Sequence, residues 1–220
     1  MFRSVAIIFA ATVLTLGSAI AAPLEGEKTY DMLFRNGTLD EIDRSAALVY
    51  RREVTNVLKP EAEVRDTGHV KLSFQQEDNS MAKLEFRQED KHRSLGIFPA
   101  SVGNPMIMYF YETVVRDMAE AAGGSPYYIR NRVKEALVDA SDVEQGEAFL
   151  DGKSVPTHTI RMYPFKADPN AHRMQGFGDL ELRVTMSDAV PGWYMSLVAE
   201  AAEGKVYRSE VSFTHLDDAQ

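Results

Sequence analysis

Cysteine is missing from all 220 residues. Its absence excludes disulfides, thiol catalysis, thiolate-held metal and a lipid-modified cysteine at a mature N-terminus. Beyond the N-terminal segment there is no long apolar run, so no later stretch reads as a membrane-spanning helix. Histidine occurs five times, at 69, 92, 158, 172 and 215, with no pair at metal-ligand spacing. Phosphate loops, a GxGxxG turn and HExxH are absent as well. Basic residues are the minority, 24 Lys and Arg against 33 Asp and Glu, a net of −9. Phosphate contacts need clustered cations, so nucleic acid is a poor partner for this chain. No cofactor and no metal are expected.

What is present begins with an address. Arg3 supplies a positive start, Val5–Leu16 an apolar run, and Ala19-Ile20-Ala21 a small-x-small cleavage pattern. Residues 1–21 therefore read as a secretory signal peptide, cut after Ala21 because Pro23 disfavours the next bond. The apolar run is shorter than the roughly 20 residues of a spanning helix. Removing 21 of 220 residues leaves 199, and with Arg3 gone the net charge becomes about −10. An acidic, disulfide-free exported chain suits the periplasm, and 22–220 is long enough for one domain with its own core.

The body of that domain reads as strands on either side of a helical block. Pro23–Arg35 gives no clear element, and Asn36-Gly37 is a turn, with Thr38 and Glu41 spaced as a capping box. Ala46–Leu58 is strand-like, with Leu48, Tyr50 and Val54 on one parity and Arg51 and Glu53 on the other. Val70–Phe74 and Ala82–Phe86 alternate strictly and are joined by the polar hairpin Glu77–Ser80. Arg93–Pro99 adds a fourth strand. After the helices come Glu147–Leu150, Val155–Phe165, Leu180–Met186, Trp193–Glu200 and Lys205–His215, separated by glycine- and proline-containing turns. Strict alternation implies one wet face and one buried face, the pattern of an antiparallel sheet. The expected architecture is α+β: a curved antiparallel sheet with a mid-chain helical pair, 104–140, packed on its concave face.

Within the helical block, Asn104-Pro105 and Ser125-Pro126 each place a capping side chain before a proline at the first helical position. Gly123-Gly124 separates the two helices. The first has an ordinary stripe, Ile107, Tyr111, Val114, Val115, Met118 and Ala122. Met106, Met108, Tyr109 and Phe110 then carry the apolar surface right round its first turns, which predicts burial on all sides. Those four residues, with Trp193 and Met195 from the strands, are candidates to line a greasy cavity, or simply to fill a core. Tyr127, Tyr128, Arg130 and Lys134 mix aromatics with a local positive cluster that a phosphate or carboxylate headgroup would suit. The same cations would equally serve a helix surface paired with acids such as Glu120 or Asp139.

Catalytic patterns are weak. GGSP at 123–126 lacks the second glycine of a nucleophile elbow, and its serine is better explained as a cap. Asp168 and His172 share a loop without metalloprotease spacing, and His158 shares inward parity with Ile160 and Met162. Glu89-Asp90 and Asp217-Asp218 read as solvated charge. No catalytic residue is assigned.

In the order of its elements, an exported antiparallel sheet with helices entering mid-chain, the sequence resembles the periplasmic lipoprotein-carrier superfamily of LolA and LolB half-barrels. The resemblance rests on no motif and transfers no residue roles. It implies a protein that holds an acyl chain or lipidated partner between sheet and helices. Three readings follow: a non-catalytic periplasmic protein binding a hydrophobic or lipid-like ligand, an envelope interaction or assembly factor, or an enzyme of unrecognised type. The first predicts a cavity along Met106–Phe110; the second a filled core with an exposed apolar patch or open edge; the third a cleft of perturbed ionisable groups.

Overall fold

Nine antiparallel strands form a single sheet in the computed structural model, which describes residues 26–217; the signal peptide expected at 1–21 lies outside the described residues. The strands are β1 (Ala47–Asn56), β2 (Gly68–Phe74), β3 (Met81–Gln88), β4 (Lys91–Pro99), β5 (Val143–Leu150), β6 (Lys153–Met162), β7 (Glu181–Met186), β8 (Tyr194–Ala201) and β9 (Tyr207–Asp217). Their spatial order is β4-β3-β2-β1-β9-β8-β7-β6-β5. Two meanders thus run outward from a central seam, and the seam joins the two halves of the chain. There β1 pairs with β9 from Ala47↔Asp217 to Asn56↔Tyr207, with one bulge between Val49 and Tyr50.

The helices are α1 (Gly26–Leu33), α2 (Glu61–Asp66), α3 (Met106–Ala122) and α4 (Pro126–Val138). The chain leaves the sheet at edge strand β4, crosses the concave face as α3 and α4, and re-enters at the opposite edge as β5. The helical pair is therefore a strap across an open, curved sheet. Inward residues of β1–β3, such as Leu48, Leu72 and Leu84, and of β7–β9, such as Val184, Leu197 and Val211, join the α3 stripe in one apolar cluster.

The outward face is polar. A ladder of ion pairs crosses β5 to β9 in the order Glu144, Arg161, Glu181, Arg183, Glu200, Arg208 and Glu210, with N···O distances between 2.5 and 3.5 Å. Each exposed pair contributes little to stability. Together they keep that face in water and consign the apolar surface to the strap side.

Several local expectations are corrected. Thr38 caps no helix; its hydroxyl accepts the Asn104 N–H at 2.9 Å, tying the 36–41 turns to the start of the strap. Ser125 makes no side-chain cap, and Pro126 alone starts α4. Strand β5 begins at Val143, not Glu147, and β6 stops at Met162. Met108 is 46% exposed and Tyr109 half-buried, so α3 is not enclosed on all sides. The two short helices had only faint signals. For α2 it is Pro60, already in helical conformation, followed by Glu61 and Glu63 at the positive helix end.

Candidate functional site

Where α3 meets the sheet, apolar packing gives way to charge. Arg52 projects inward from β1 and is 0% exposed. Its guanidinium donates to Asp117 Oδ2 of α3 at 3.0 Å and to the Tyr109 hydroxyl at 3.2 Å, and lies 3.9 Å from Asp66 Oδ1. Tyr207 of β9 donates its hydroxyl to the same Asp117 oxygen at 2.9 Å. Arg116 bridges Asp117 Oδ1 at 2.6 Å and Asp66 Oδ2 at 3.1 Å. Arg65 of α2 completes the group by donating to Asp66 at 2.7 Å and Glu120 at 2.8 Å. Three cations thus meet three carboxylates, and β1, β9, α2 and α3 are knotted at one point. Burial would raise the Asp66 pKa, but Arg65, Arg116 and Arg52 outweigh it and hold the carboxyl below its ordinary value.

The other end of α3 is seated by Asn104, itself buried. Its amide donates to the Tyr50 hydroxyl at 2.9 Å and the Gly192 carbonyl at 2.8 Å, while its Oδ1 caps Met106 N–H at 3.0 Å. Gly103 precedes it with φ +98°, where a Cβ would lie 2.4 Å from the Arg35 carbonyl oxygen. Only glycine fits that approach. Nearby, Trp193 donates to the Met32 carbonyl at 3.0 Å and Tyr194 to that of Leu33 at 2.6 Å, which holds the C-terminal end of α1.

The candidate residues separate into three groups. Met106 and Phe110 are buried in the core, as is Trp193; Met195 is half-buried on β8. Tyr109 joins the charged seam and Met108 faces solvent. On α4, Arg130 is engaged by Glu112 of α3 through two hydrogen bonds of 2.8 and 2.7 Å, a different acid from either Glu120 or Asp139. Lys134 is exposed, Tyr127 is 71% exposed, and Tyr128 donates to Asp168 at 2.5 Å, which ties α4 to the long loop before β7. These residues do not converge on one site.

Sequence reasoning missed Arg52, Asp66 and Asp117. The signal was available for two of them. Arg52 has the same strand parity as Tyr50 and Val54, and Asp117 falls among Val114 and Met118 on the apolar stripe of α3. A charge in an apolar column predicts a buried partner.

Open clefts lie elsewhere. One of about 1110 Å³ is walled by Arg44, Lys71, Phe74 and Asp217 at one end of β1, β2 and β9. Another of about 820 Å³ runs between Arg35–Asp43 and Ser187–Trp193. A third, about 360 Å³, separates the facing sides of α3 and α4 near Arg116 and Arg130. Met106, Met108, Tyr109 and Phe110 line none of these three. Among the described residues no three His, Asp or Glu side chains come together as metal ligands, and no helix is long and apolar enough to cross a membrane.

No protein-family model matches the chain. No curated protein matches it. Among solved structures, the Mycobacterium tuberculosis lipoprotein LppX aligns with a TM-score of 0.34 and 8% identity, over 87% of this chain and 96% of that one.

Proposed function

We propose that this chain is an exported, non-catalytic periplasmic protein that binds a hydrophobic ligand of acyl-chain size between α3 and the concave face of the sheet. The observation that carries this reading is the split seat of α3. A permanent interior gains nothing from buried ion pairs, since well-packed apolar residues of similar volume hold as well or better. A hydrogen-bonded charge cluster instead fixes one register and returns to water cheaply when the helix lifts. The strap is attached through loops at the two opposite sheet edges, so it can lift without unpairing a strand.

Magnitudes set the class of ligand. Seven apolar or aromatic side chains of α3 are buried, Met106, Ile107, Phe110, Tyr111, Val114, Val115 and Met118. At roughly 1.5–3 kcal/mol each, exposing them to water would cost about 10–20 kcal/mol. That is comparable to the whole stability of a domain, so the strap does not lift into water alone. An acyl chain returns about 0.8 kcal/mol per methylene. About 13–25 methylenes therefore offset the displacement, and a small polar metabolite does not.

The test uses the absence of cysteine. A single engineered cysteine pair across the α3–β1 contact would be the only disulfide in the molecule. Protein exported to the periplasm and purified without detergent is expected to carry lipid by native mass spectrometry. After delipidation it should take up a fluorescent fatty acid when reduced and not when oxidised. Uptake that is equal in both forms, or no lipid in either, refutes the reading. A second reading, an envelope assembly factor, is supported by a different feature, the open edge strands β4 and β5; there the same preparation would carry protein instead of lipid.

A further inference from the structure

The inward face of α3 has the chemical outline of a single-chain acid. From Met106 to Val115 its buried side chains are apolar or aromatic, apart from Thr113, whose hydroxyl donates to the Phe110 carbonyl. Asp117 is the one charged residue among those buried on this helix. At a rise of 1.5 Å per residue, about 15 Å of apolar surface runs from Ile107 to that single carboxylate.

Asp117 fills its seat incompletely. Its Oδ2 takes both sheet-side donors, Arg52 Nη2 at 3.0 Å and the Tyr207 hydroxyl at 2.9 Å. Its Oδ1 is drawn aside to Arg116 of the same helix, by bonds of 2.6 and 3.0 Å. Arg52 Nε, on the guanidinium edge it shares with Nη2, is buried without a partner. That edge is one that a carboxylate grips with two parallel hydrogen bonds. An acid not tethered to Arg116 can set one oxygen on Nε and the other on Nη2, with Tyr207 still donating.

Lifting α3 empties the seat. Asp117, Arg116 and Glu120 leave with the helix and reach water. Arg52 and Tyr207 stay on β1 and β9, both 0% exposed, and the next carboxylate to Arg52 is Asp66 at 3.9 Å. Acyl methylenes replace the apolar stripe but do nothing for a stranded buried cation, which is strongly destabilising. A ligand with one negative charge at its end restores what Asp117 supplied. A neutral lipid does not.

We propose that the ligand is a long-chain carboxylate whose head is held by Arg52 and Tyr207, in the place that Asp117 occupies when α3 is seated. Asp117 is then an internal stand-in that the ligand displaces. The inference rests on the reading that α3 lifts over an acyl chain, and it adds the chemistry of the head.

The test titrates delipidated protein with palmitate and with hexadecanol, which differ only in the head. Palmitate is expected to bind at least about tenfold tighter, as hydrogen bonds to a charged group require. Arg52→Gln should bring the two affinities within about twofold, since no cation then meets the head. Asp117 keeps Arg116 and Tyr207 in that variant, so the seated fold retains its carboxylate partners. Tyr207→Phe, a smaller change, should narrow the preference several-fold. Asp117→Asn should tighten both probes and leave their ratio unchanged, because it weakens the seated helix and not the sheet-side donors. Equal binding of both probes by the parent, or a preference for palmitate that survives Arg52→Gln, overturns the proposal while leaving acyl binding intact. So does tighter binding of a lysophosphatidylglycerol than of palmitate. Binding of neither palmitate nor hexadecanol overturns both this proposal and the reading it rests on.

Discussion

Replacing Asp117 with leucine strands the Arg52 guanidinium in the interior, and the size of the penalty measures how dry the α3 seat is. Arg52 would keep only the Tyr109 hydroxyl at 3.2 Å and the more distant Asp66 at 3.9 Å, and the Tyr207 hydroxyl would lose its acceptor. Breaking a buried pair from one side costs about 3–5 kcal/mol. For a domain of this length each kcal/mol shifts the melting temperature by roughly 2–4 °C, so a fall of about 6–20 °C is expected. Arg52→Met together with Asp117→Leu removes both charges. Arg65 and Arg116 then still face Asp66 and Glu120, and the residual loss reduces to the orphaned Tyr207 hydroxyl, about 1–2 kcal/mol. Urea unfolding of the two singles and the double closes a mutant cycle with an expected coupling of at least about 2–3 kcal/mol. The double variant, sealed by apolar contact, should also take up fatty acid more slowly than the parent. If Asp117→Leu costs less than about 1 kcal/mol, water already reaches the cluster. If the double loses as much as the singles summed, the pair is not coupled, and the account of the strap's seat fails.

Tyr111 and Tyr50 make a contrasting pair. The Tyr111 hydroxyl is buried with no partner, so Tyr111→Phe should leave urea stability unchanged or raise it by up to about 1 kcal/mol, whereas Tyr50→Phe deprives Asn104 of an acceptor and should lose about 1–2 kcal/mol. Asn104→Ala removes three hydrogen bonds at the start of α3 and leaves the Tyr50 hydroxyl and the Met106 N–H unsatisfied; a drop of about 2–4 kcal/mol in thermal or urea unfolding is expected, and one under 1 kcal/mol would show that the seat is not needed. Acid should loosen the same cluster. Because the Asp66 carboxyl is held below its ordinary value of about 4, its contribution is fully present above that pH and is lost as pH falls through the folded value; the urea midpoint should decline below about pH 4, less steeply in Asp66→Asn.

Much of the fold was legible because its signals are local. Period-two alternation marked Val70–Phe74, Ala82–Phe86 and Leu180–Met186, and their neighbours in the sheet are hairpin partners. The Asn-Pro and Ser-Pro starts and the Gly-Gly break delimited α3 and α4 to within two residues. The short helices escaped because six to eight residues hold little periodicity, and α1 depends on Trp193 and Tyr194, about 160 positions away in sequence. The candidate site was less legible. Composition marks Met106–Phe110 as apolar, but only packing decides that Met106 and Phe110 face the sheet while Met108 faces water.

By itself the sequence determined a cysteine-free, acidic α+β chain with polar-apolar strands on both sides of a helical pair. Those features follow from side-chain chemistry and from periods of two and 3.6 residues, which need no distant partner. Tertiary structure alone decided that β1 pairs with β9, making two meanders one sheet. It also decided that Arg52, Asp66 and Asp117 meet beneath α3. Alternation tells a strand which face to bury but not which strand to pair with, and a lone inward charge does not name the carboxylate that satisfies it.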